Sequence, residues 1–192
     1  MRIVGGMWRG RAFDAPQGRN TRPTTDRMRE SLASMILSAL DLEIAECSVL
    51  DAFAGSGGVG LELLSRGARH CTFCERDRRT AGLVKRNCES LGAVRGTWDV
   101  VCGDAHRLAE RPTLAGSPFD VVFLDPPYAM AVDEVAQLVA SLARAGKLQE
   151  GCLTVYERSA DGLGLEVEGF EVLRSRKHGG TCVDLLQRGA TS

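Results

Sequence analysis

From Ser48 onward, short apolar runs alternate with amphipathic segments, a pattern typical of a parallel β-sheet flanked by helices. The predicted strands span residues 48–53, 70–75, 98–102, 119–124 and 152–157. The helices between them are predicted over residues 58–66, 77–91, 105–110 and 131–145. Two further strand-like runs, 169–176 and 181–187, are joined by residues 177–180 and predict a final antiparallel hairpin. The expected fold class is therefore α/β, with an open, doubly wound sheet that is mostly parallel.

Residues 1–24 have a different pattern and are predicted to form a small basic arm that precedes a domain covering residues 25–192. Short extended stretches flank the glycine-rich segment 5–10, which indicates a β-hairpin too small to fold by itself. After Pro23 the apolar residues repeat at helical spacing, and this predicts a helix over residues 25–40 that leads into the sheet at residue 48. Thr24 and Thr25 are both candidates for the N-cap of this helix.

The composition is that of one ordinary globular domain. A length of 192 residues suits a single domain, and 44% hydrophobic with 26% charged residues excludes a disordered chain. We find neither an apolar run long enough to span a membrane nor the apolar segment of a secretory signal. The seven scattered cysteines are typical of reduced thiols. We therefore expect a cytoplasmic protein that does not associate with membranes.

The net charge of −1 conceals an uneven distribution, because residues 1–30 sum to +4 and the rest of the chain sums to −5. Such a basic segment is typical of proteins that bind nucleic acid, and it is equally consistent with a solvated arginine-rich surface. Trp8, in the same segment, is a candidate either for stacking on a base or for anchoring the arm to the domain.

A glycine-rich loop, residues 51–60, follows the first predicted strand and opens a helix. Gly55, Gly57 and Gly60 spell G-x-G-x-x-G, a spacing that lets the backbone approach a ligand closely. A dinucleotide would place its pyrophosphate here, and Asp51 would disfavour that anion. The ammonium and sulfonium groups of S-adenosylmethionine would instead be attracted to Asp51. The candidate cofactor residues of this loop are Asp51, Phe53, Gly55, Ser56, Gly57 and Gly60.

Acidic residues also end the next two predicted strands. Glu75 is placed to accept hydrogen bonds from the two hydroxyls of a cofactor ribose. Asp104 and the neighbouring Ala105 are placed to meet an adenine edge. Either acid alone could be a loop or helix-capping residue. Because both stand at successive strand ends on one side of the sheet, a role in ligand binding is favoured.

A second group of candidate residues, Asp125-Pro126-Pro127-Tyr128, follows the buried run 119–124. Two consecutive prolines hold the backbone extended and remove two hydrogen-bond donors, which makes a rigid corner rich in acceptors. Asp125 and the Pro126 carbonyl could each accept one hydrogen of a planar amine, while Tyr128 stacks on its ring. The simpler interpretation is a Pro-Pro strand terminator with Tyr128 as a packing residue.

These two motifs resemble motif I of class I S-adenosylmethionine-dependent methyltransferases and the (D/N)PPY motif of amino-methyltransferases. Segments 2–6, 9–11, 22–30 and 61–68 further resemble the RsmD-type family, so the resemblance covers nearly the whole chain. It implies a Rossmann-like methyltransferase sheet, S-adenosylmethionine as cofactor, and methyl transfer to the N2 amine of a guanine in bacterial 16S ribosomal RNA, naked or within the assembling small subunit. It also implies that arginines hold RNA phosphates around the pocket, and the candidates are Arg9, Arg11, Arg19, Arg22 and Arg27.

Alternative functions remain open at this point. An amino-methyltransferase could act on adenine N6 or on a protein glutamine amide. A nicotinamide-dependent oxidoreductase would use the same glycine loop, but the chain lacks an obvious catalytic constellation for it. A non-enzymatic RNA-binding protein would be expected to have lost one of the two motifs. Cys71 and Cys74 have the spacing of half a zinc site, but without a second cysteine pair we expect core thiols, no metal and a monomer.

Overall fold

The structure is a computed structural model that describes residues 1–16 and 25–190. Its helices are α1 (Asp26–Ala39), α2 (Gly58–Ser65), α3 (Arg78–Leu91), α4 (Val132–Arg144) and a short 3-10 helix (Ala105–Arg107). Its strands are β1 (Ser48–Asp51), β2 (His70–Glu75), β3 (Trp98–Cys102), β4 (Phe119–Leu124), β5 (Leu148–Ser159), β6 (Phe170–His178) and β7 (Thr181–Arg188). In these described ranges, no helix is long and apolar enough to cross a membrane.

The seven strands form one sheet in the order β3-β2-β1-β4-β5-β7-β6. Strands β1 to β5 pair in parallel, whereas β7 runs antiparallel to both β5 and β6. The predicted doubly wound sheet with a final antiparallel hairpin is thus confirmed. The strand order changes direction between β1 and β4, and sheets of this kind bind ligands in the crevice beyond the carboxyl ends of the strands at that point.

Two hydrophobic cores cover the two faces of the sheet, because successive side chains of a strand point to opposite faces. Val49 packs in the core beneath α1, α2 and α3, and Leu50 packs in the core beneath α4. The central parallel strands β1, β2 and β4 are therefore buried on both faces. The edge strand β3 is only partly buried.

Several predicted boundaries need correction. The segment 105–110 forms only the 3-10 helix Ala105–Arg107, which Asp104 caps, followed by a turn in which the Arg111 N–H donates to the Leu108 carbonyl. Pro112 disfavours a helical conformation at Arg111, so no α-helix continues from this turn. Strand β1 ends at Asp51 instead of residue 53, since the chain leaves the sheet to begin the glycine loop. Strand β5 extends over Leu148–Ser159, beyond both predicted ends, because it pairs with β4 on one side and β7 on the other. Helix α1 matches its prediction, and the Thr25 side chain accepts a hydrogen bond from the Met28 N–H as N-cap.

The described part of the basic arm, residues 1–16, lies against the domain as a short antiparallel hairpin, with a bridge between Arg2 and Ala12 and turns over residues 5–10. Its apolar side chains are buried in the core on the α1 face, namely those of Ile3, Trp8 and Phe13. The buried carboxylate of Glu62 on α2 accepts the Val4 and Gly5 N–H groups at 2.9 and 2.7 Å. Trp8 thus anchors the arm and is not available to stack on a base.

Candidate active site

A cavity of about 1360 Å³ opens beyond the carboxyl ends of the parallel strands. Its volume exceeds the roughly 300–1,000 Å³ of a single small-ligand site, so it has room for a cofactor and a substrate group together. Most of the predicted site residues line it, namely Asp51, Phe53, Gly55, Ser56, Glu75, Asp104, Ala105, Asp125, Pro126 and Tyr128.

Of the three glycines predicted to contact the cofactor, only Gly55 lines the cavity, and Gly57 and Gly60 do not. A Cβ atom on Gly60 would collide with the Phe73 ring and the Cys71 sulfur of β2. Gly57 has a φ of +79° and forms the left-handed N-cap of α2. These two glycines therefore permit close packing of α2 on β2 and the sharp turn into the helix, while Gly55 and Ser56 line the cavity.

Asp51 is the most buried acid of the site, with 1% of its surface exposed. Its Oδ2 accepts the Gly60 N–H at 3.1 Å, whereas its Oδ1 has no hydrogen-bond partner in the part of the chain that the structure describes. Burial raises the pKa of Asp51 to about 7; the Gly60 N–H opposes this shift, and the charges of Asp125 and Glu75 increase it. A buried carboxyl with an unused oxygen and acidic neighbours fits a cationic ligand.

The acids that end β2 and β3 are held in place by backbone groups. Glu75 accepts the Gly55 N–H at 2.9 Å through Oε2 and the Asp77 N–H at 2.8 Å through Oε1. Each oxygen retains one acceptor site, so the carboxylate can still receive two hydroxyl groups. Asp104 accepts the His106 N–H at 3.0 Å and caps the 3-10 helix while it lines the cavity. The capping role and the ligand-facing position are therefore compatible.

The proline corner begins one residue after β4 ends at Leu124. Asp125 is exposed at the cavity wall, and desolvation by the surrounding protein raises its pKa to about 6. Tyr128 is 74% exposed and lines the cavity, so it packs in neither hydrophobic core. This position contradicts the simpler interpretation of Tyr128 as a packing residue and leaves its ring available to a planar ligand.

The opposite rim of the cavity is formed by α1 and the end of β6. Arg27 is predicted at the pocket from the sequence, which carries no indication of Arg176 and Lys177. Arg27, Arg176 and Lys177 line this rim and are exposed. His178 Nε2 lies 3.4 Å from Ser31 Oγ, a contact that joins the end of β6 to α1. We refer to Arg27, Arg176 and Lys177 as the cationic rim. The sequence carries no signal that residues 147 positions apart, such as Ser31 and His178, would meet at one cavity, because only the folded sheet brings them together.

The predicted RNA-binding arginines are separated by the fold. Arg27 belongs to the cationic rim, whereas Arg19 and Arg22 lie outside the described residues. Arg11 donates to the carbonyls of Leu91 and Ser90, at 2.6 and 2.8 Å, where α3 ends.

Arg9 occupies the turn whose Met7 N–H donates to Ser65 at the end of α2. Helices α2 and α3 begin at the cavity edge of the sheet and end at the opposite edge. Neither Arg9 nor Arg11 lines the cavity, and Arg11 caps a helix. Their predicted contact with RNA stays a prediction.

The two cysteines of β2 that suggested half a zinc site point to opposite faces of the sheet. Cys71 packs in the core on the α1 face and Cys74 in the core on the α4 face. Burial raises the pKa of Cys74 to about 12 and that of Cys71 well above its ordinary value. Within residues 1–16 and 25–190, no group of three or more histidine, cysteine or acidic side chains could hold a metal ion.

The chain is similar to known proteins over nearly its whole length. Residues 1–187 match the protein-family model described as Conserved hypothetical protein 95. Ribosomal RNA small subunit methyltransferase D of Escherichia coli K12 is 35% identical over 192 residues, covering 99% of this chain and 91% of that protein. The Haemophilus influenzae protein of the same name is 33% identical over 180 residues, covering 93% and 89%. The solved structure of Escherichia coli yhhF has a TM-score of 0.83 at 32% identity and covers 100% of this chain and 99% of that one.

Proposed function

Because the chain belongs to the RsmD family, whose family model is described as Conserved hypothetical protein 95, we propose that it methylates the N2 amine of a guanine in 16S ribosomal RNA with S-adenosylmethionine as donor. The relatives named as small-subunit ribosomal RNA methyltransferases support the RNA substrate. The enzyme would act as a cytoplasmic monomer on this RNA, naked or within the assembling small subunit.

One observation carries this proposal: the glycine loop and the proline corner open into the same cavity from neighbouring strands. Asp51 at the end of β1 pairs in register with Phe123 of β4, and Asp125 follows two residues later. Ligands bound at the two motifs would therefore be close enough to react. Holding two reactants in this way can supply roughly 7–11 kcal/mol of the barrier reduction.

The residues on the β1–β3 side of the cavity fit S-adenosylmethionine. Glu75 would bind the ribose hydroxyls, and Asp104 with Ala105 would face the adenine. The unused Oδ1 of Asp51 favours positive charge, as do the nearby carboxylates of Glu75 and Asp125. When bound, this cofactor supplies an electrophilic methyl group on a sulfonium.

The proline corner would hold the amine that accepts the methyl group. Asp125 and the Pro126 carbonyl accept its two hydrogens, and Tyr128 stacks on the base. These two acceptors favour a pyramidal nitrogen whose lone pair points at the methyl carbon. Accepting the methyl group that the cofactor supplies would place positive charge on this nitrogen until its proton passes to the solvent that reaches Asp125. The ionised form of Asp125 stabilises that charge, and this form predominates above its pKa of about 6.

The cationic rim supports RNA as the substrate class. A guanine must leave its stack to reach Asp125, which costs least in a loop or single-stranded segment. Arg27, Arg176 and Lys177 are exposed at the cavity mouth, where they would contact the phosphates that flank the extruded base. Such contacts add affinity without choosing the base.

The proposal is tested by incubating the protein with radiolabelled S-adenosylmethionine and unmodified 16S RNA or small-subunit particles, then digesting the RNA to nucleosides. The expected product is N2-methylguanosine, absent with the Asp125→Ala variant. Label in N6-methyladenosine or in protein would overturn the proposal in favour of adenine N6 or a glutamine amide as acceptor.

A further inference from the structure

Glu157 is an acid of the cavity that neither the glycine loop nor the proline corner includes. It lies near the carboxyl end of β5, the strand next to β4. Leu124 of β4 pairs in register with Tyr156 of β5, so Asp125 and Glu157 are the next residues on two neighbouring parallel strands. Neighbouring strands are about 4.8 Å apart. The two acids therefore follow one registered pair at the carboxyl ends of adjacent strands, and both line the cavity.

The alternation of β5 places Glu157 on the same face of the sheet as Asp51. Val155 packs in the core on the α1 face, and Tyr156 packs in the core on the α4 face. Glu157 therefore follows Val155 onto the α1 face, as Asp51 follows Val49. An amine held by Asp125 would have an acceptor group next to it on the β5 side.

We infer that Glu157 determines the base specificity of the proposed methyl transfer by accepting the N1–H of guanine while Asp125 and the Pro126 carbonyl hold the N2 amine. This inference rests on the proposed function. On the guanine ring, the N1–H donor is adjacent to the N2 amine. Two neighbouring acceptors on the protein therefore match two neighbouring donors on the base. Glu157 has other interactions in the structure, but its two oxygens offer about four acceptor sites, enough to add one N1–H.

The same arrangement disfavours the two alternative acceptors. The N6 amine of adenine is flanked by N1, which carries a lone pair and no hydrogen. The amine of a glutamine side chain is flanked by its own carbonyl oxygen. In both cases an ionised Glu157 would face another acceptor, and specificity in binding is often produced by such a mismatch. The pair formed by Asp125 and Glu157 thus admits guanine and excludes adenine and glutamine.

The test uses 16S RNA in which the acceptor nucleotide is either guanine or 2-aminopurine. The latter keeps the 2-amino group but has an unprotonated N1. We expect the wild-type protein to prefer guanine by at least about 100-fold in kcat/KM, because a built hydrogen-bonding site strongly rejects an analogue that lacks the donor. In Glu157→Gln the rate on guanine should fall about 10- to 100-fold, and the preference should shrink toward one, since the new amide can donate to N1 of 2-aminopurine.

Glu150→Gln, at the opposite end of β5, is the matched control and should keep the wild-type preference. An unchanged preference in Glu157→Gln would overturn the inference, even if overall activity fell, because a purely structural role would slow both substrates equally. If that variant does not fold, the wild-type preference alone decides, and a ratio near one overturns the inference. Neither result affects the proposed function, which fails only if the wild-type protein leaves guanine N2 unmethylated.

Discussion

Replacing Asp51 with Asn should make the protein more stable and a weaker binder of its cofactor. The native carboxyl is 1% exposed and, among the described residues, accepts one hydrogen bond, from the Gly60 N–H. Ionising it inside the protein is unfavourable, and its pKa accordingly lies at about 7, against an ordinary value of 3.8. The ionised Asp51 therefore destabilises the folded protein, but it provides negative charge where a cation is to bind.

The size of this effect follows from the pKa. A shift from 3.8 to about 7, at about 1.4 kcal/mol per pH unit, costs the folded protein about 4 kcal/mol at pH 8. The Asn amide introduces a buried N–H₂ group that costs about 1–3 kcal/mol if unpartnered. The net expectation is a gain of about 1–3 kcal/mol at pH 8. The sign depends on pH: since the folded pKa is raised, the wild-type protein recovers stability as the pH falls through 7 toward 4.

Urea unfolding at pH 5, 6, 7 and 8 measures this dependence, with the free energy of unfolding extrapolated to water. The advantage of Asp51→Asn over the wild type should be largest at pH 8 and should shrink by about 2–3 kcal/mol at pH 5. Calorimetry at pH 8 should show weaker binding of S-adenosylmethionine by the variant. A stability difference that is independent of pH, or an unchanged affinity, would refute the reasoning.

Three other substitutions probe the remaining parts of the site. Asp125→Ala should abolish methyl transfer while S-adenosylmethionine affinity in calorimetry stays within a few-fold, and normal turnover would remove Asp125 from the reaction. Replacing both Arg176 and Lys177 with Ala should reduce the salt dependence of RNA binding by roughly one to two phosphate contacts. Arg11→Ala, which alters a helix cap, should leave the salt dependence unchanged. If only Arg11→Ala reduced it, the RNA would bind at the arm. Glu75→Ala should weaken S-adenosylmethionine binding by about tenfold or more, and equal affinity would contradict its role at the ribose.

The sheet could be predicted from the sequence because its strands leave a local signal. The predicted strands 70–75, 98–102 and 119–124 match β2, β3 and β4 residue for residue. Apolar runs bounded by turn residues mark a strand that is covered on both faces. The structure of the segment 105–110 was harder to predict, because a single turn shows no hydrophobic periodicity in the sequence. Its cap, Asp104, contacts a residue only two positions away.

The two motifs of the site were also local, because a glycine loop and a proline corner are each set by neighbouring residues. Contacts between residues far apart in the sequence could not be predicted in this way. Arg11 contacts Leu91 from 80 positions away, and Ser31 contacts His178 from 147 positions away. A charged residue in a linear sequence has no orientation, so an arginine that caps a helix cannot be distinguished from one that faces RNA. Gly60 presented the same difficulty, because its contact with Phe73 depends on packing between α2 and β2.

The central claim is that the methyl donor and the accepting amine meet across one cavity. A crystal structure of the protein with S-adenosylhomocysteine and a guanine-containing RNA segment tests it most directly. The adenosine should lie between Glu75 and Asp104, and the guanine N2 should contact Asp125, about 3–3.5 Å from the position of the transferred methyl. A cofactor bound away from the glycine loop, or a guanine amine that points away from the sulfur, would contradict it.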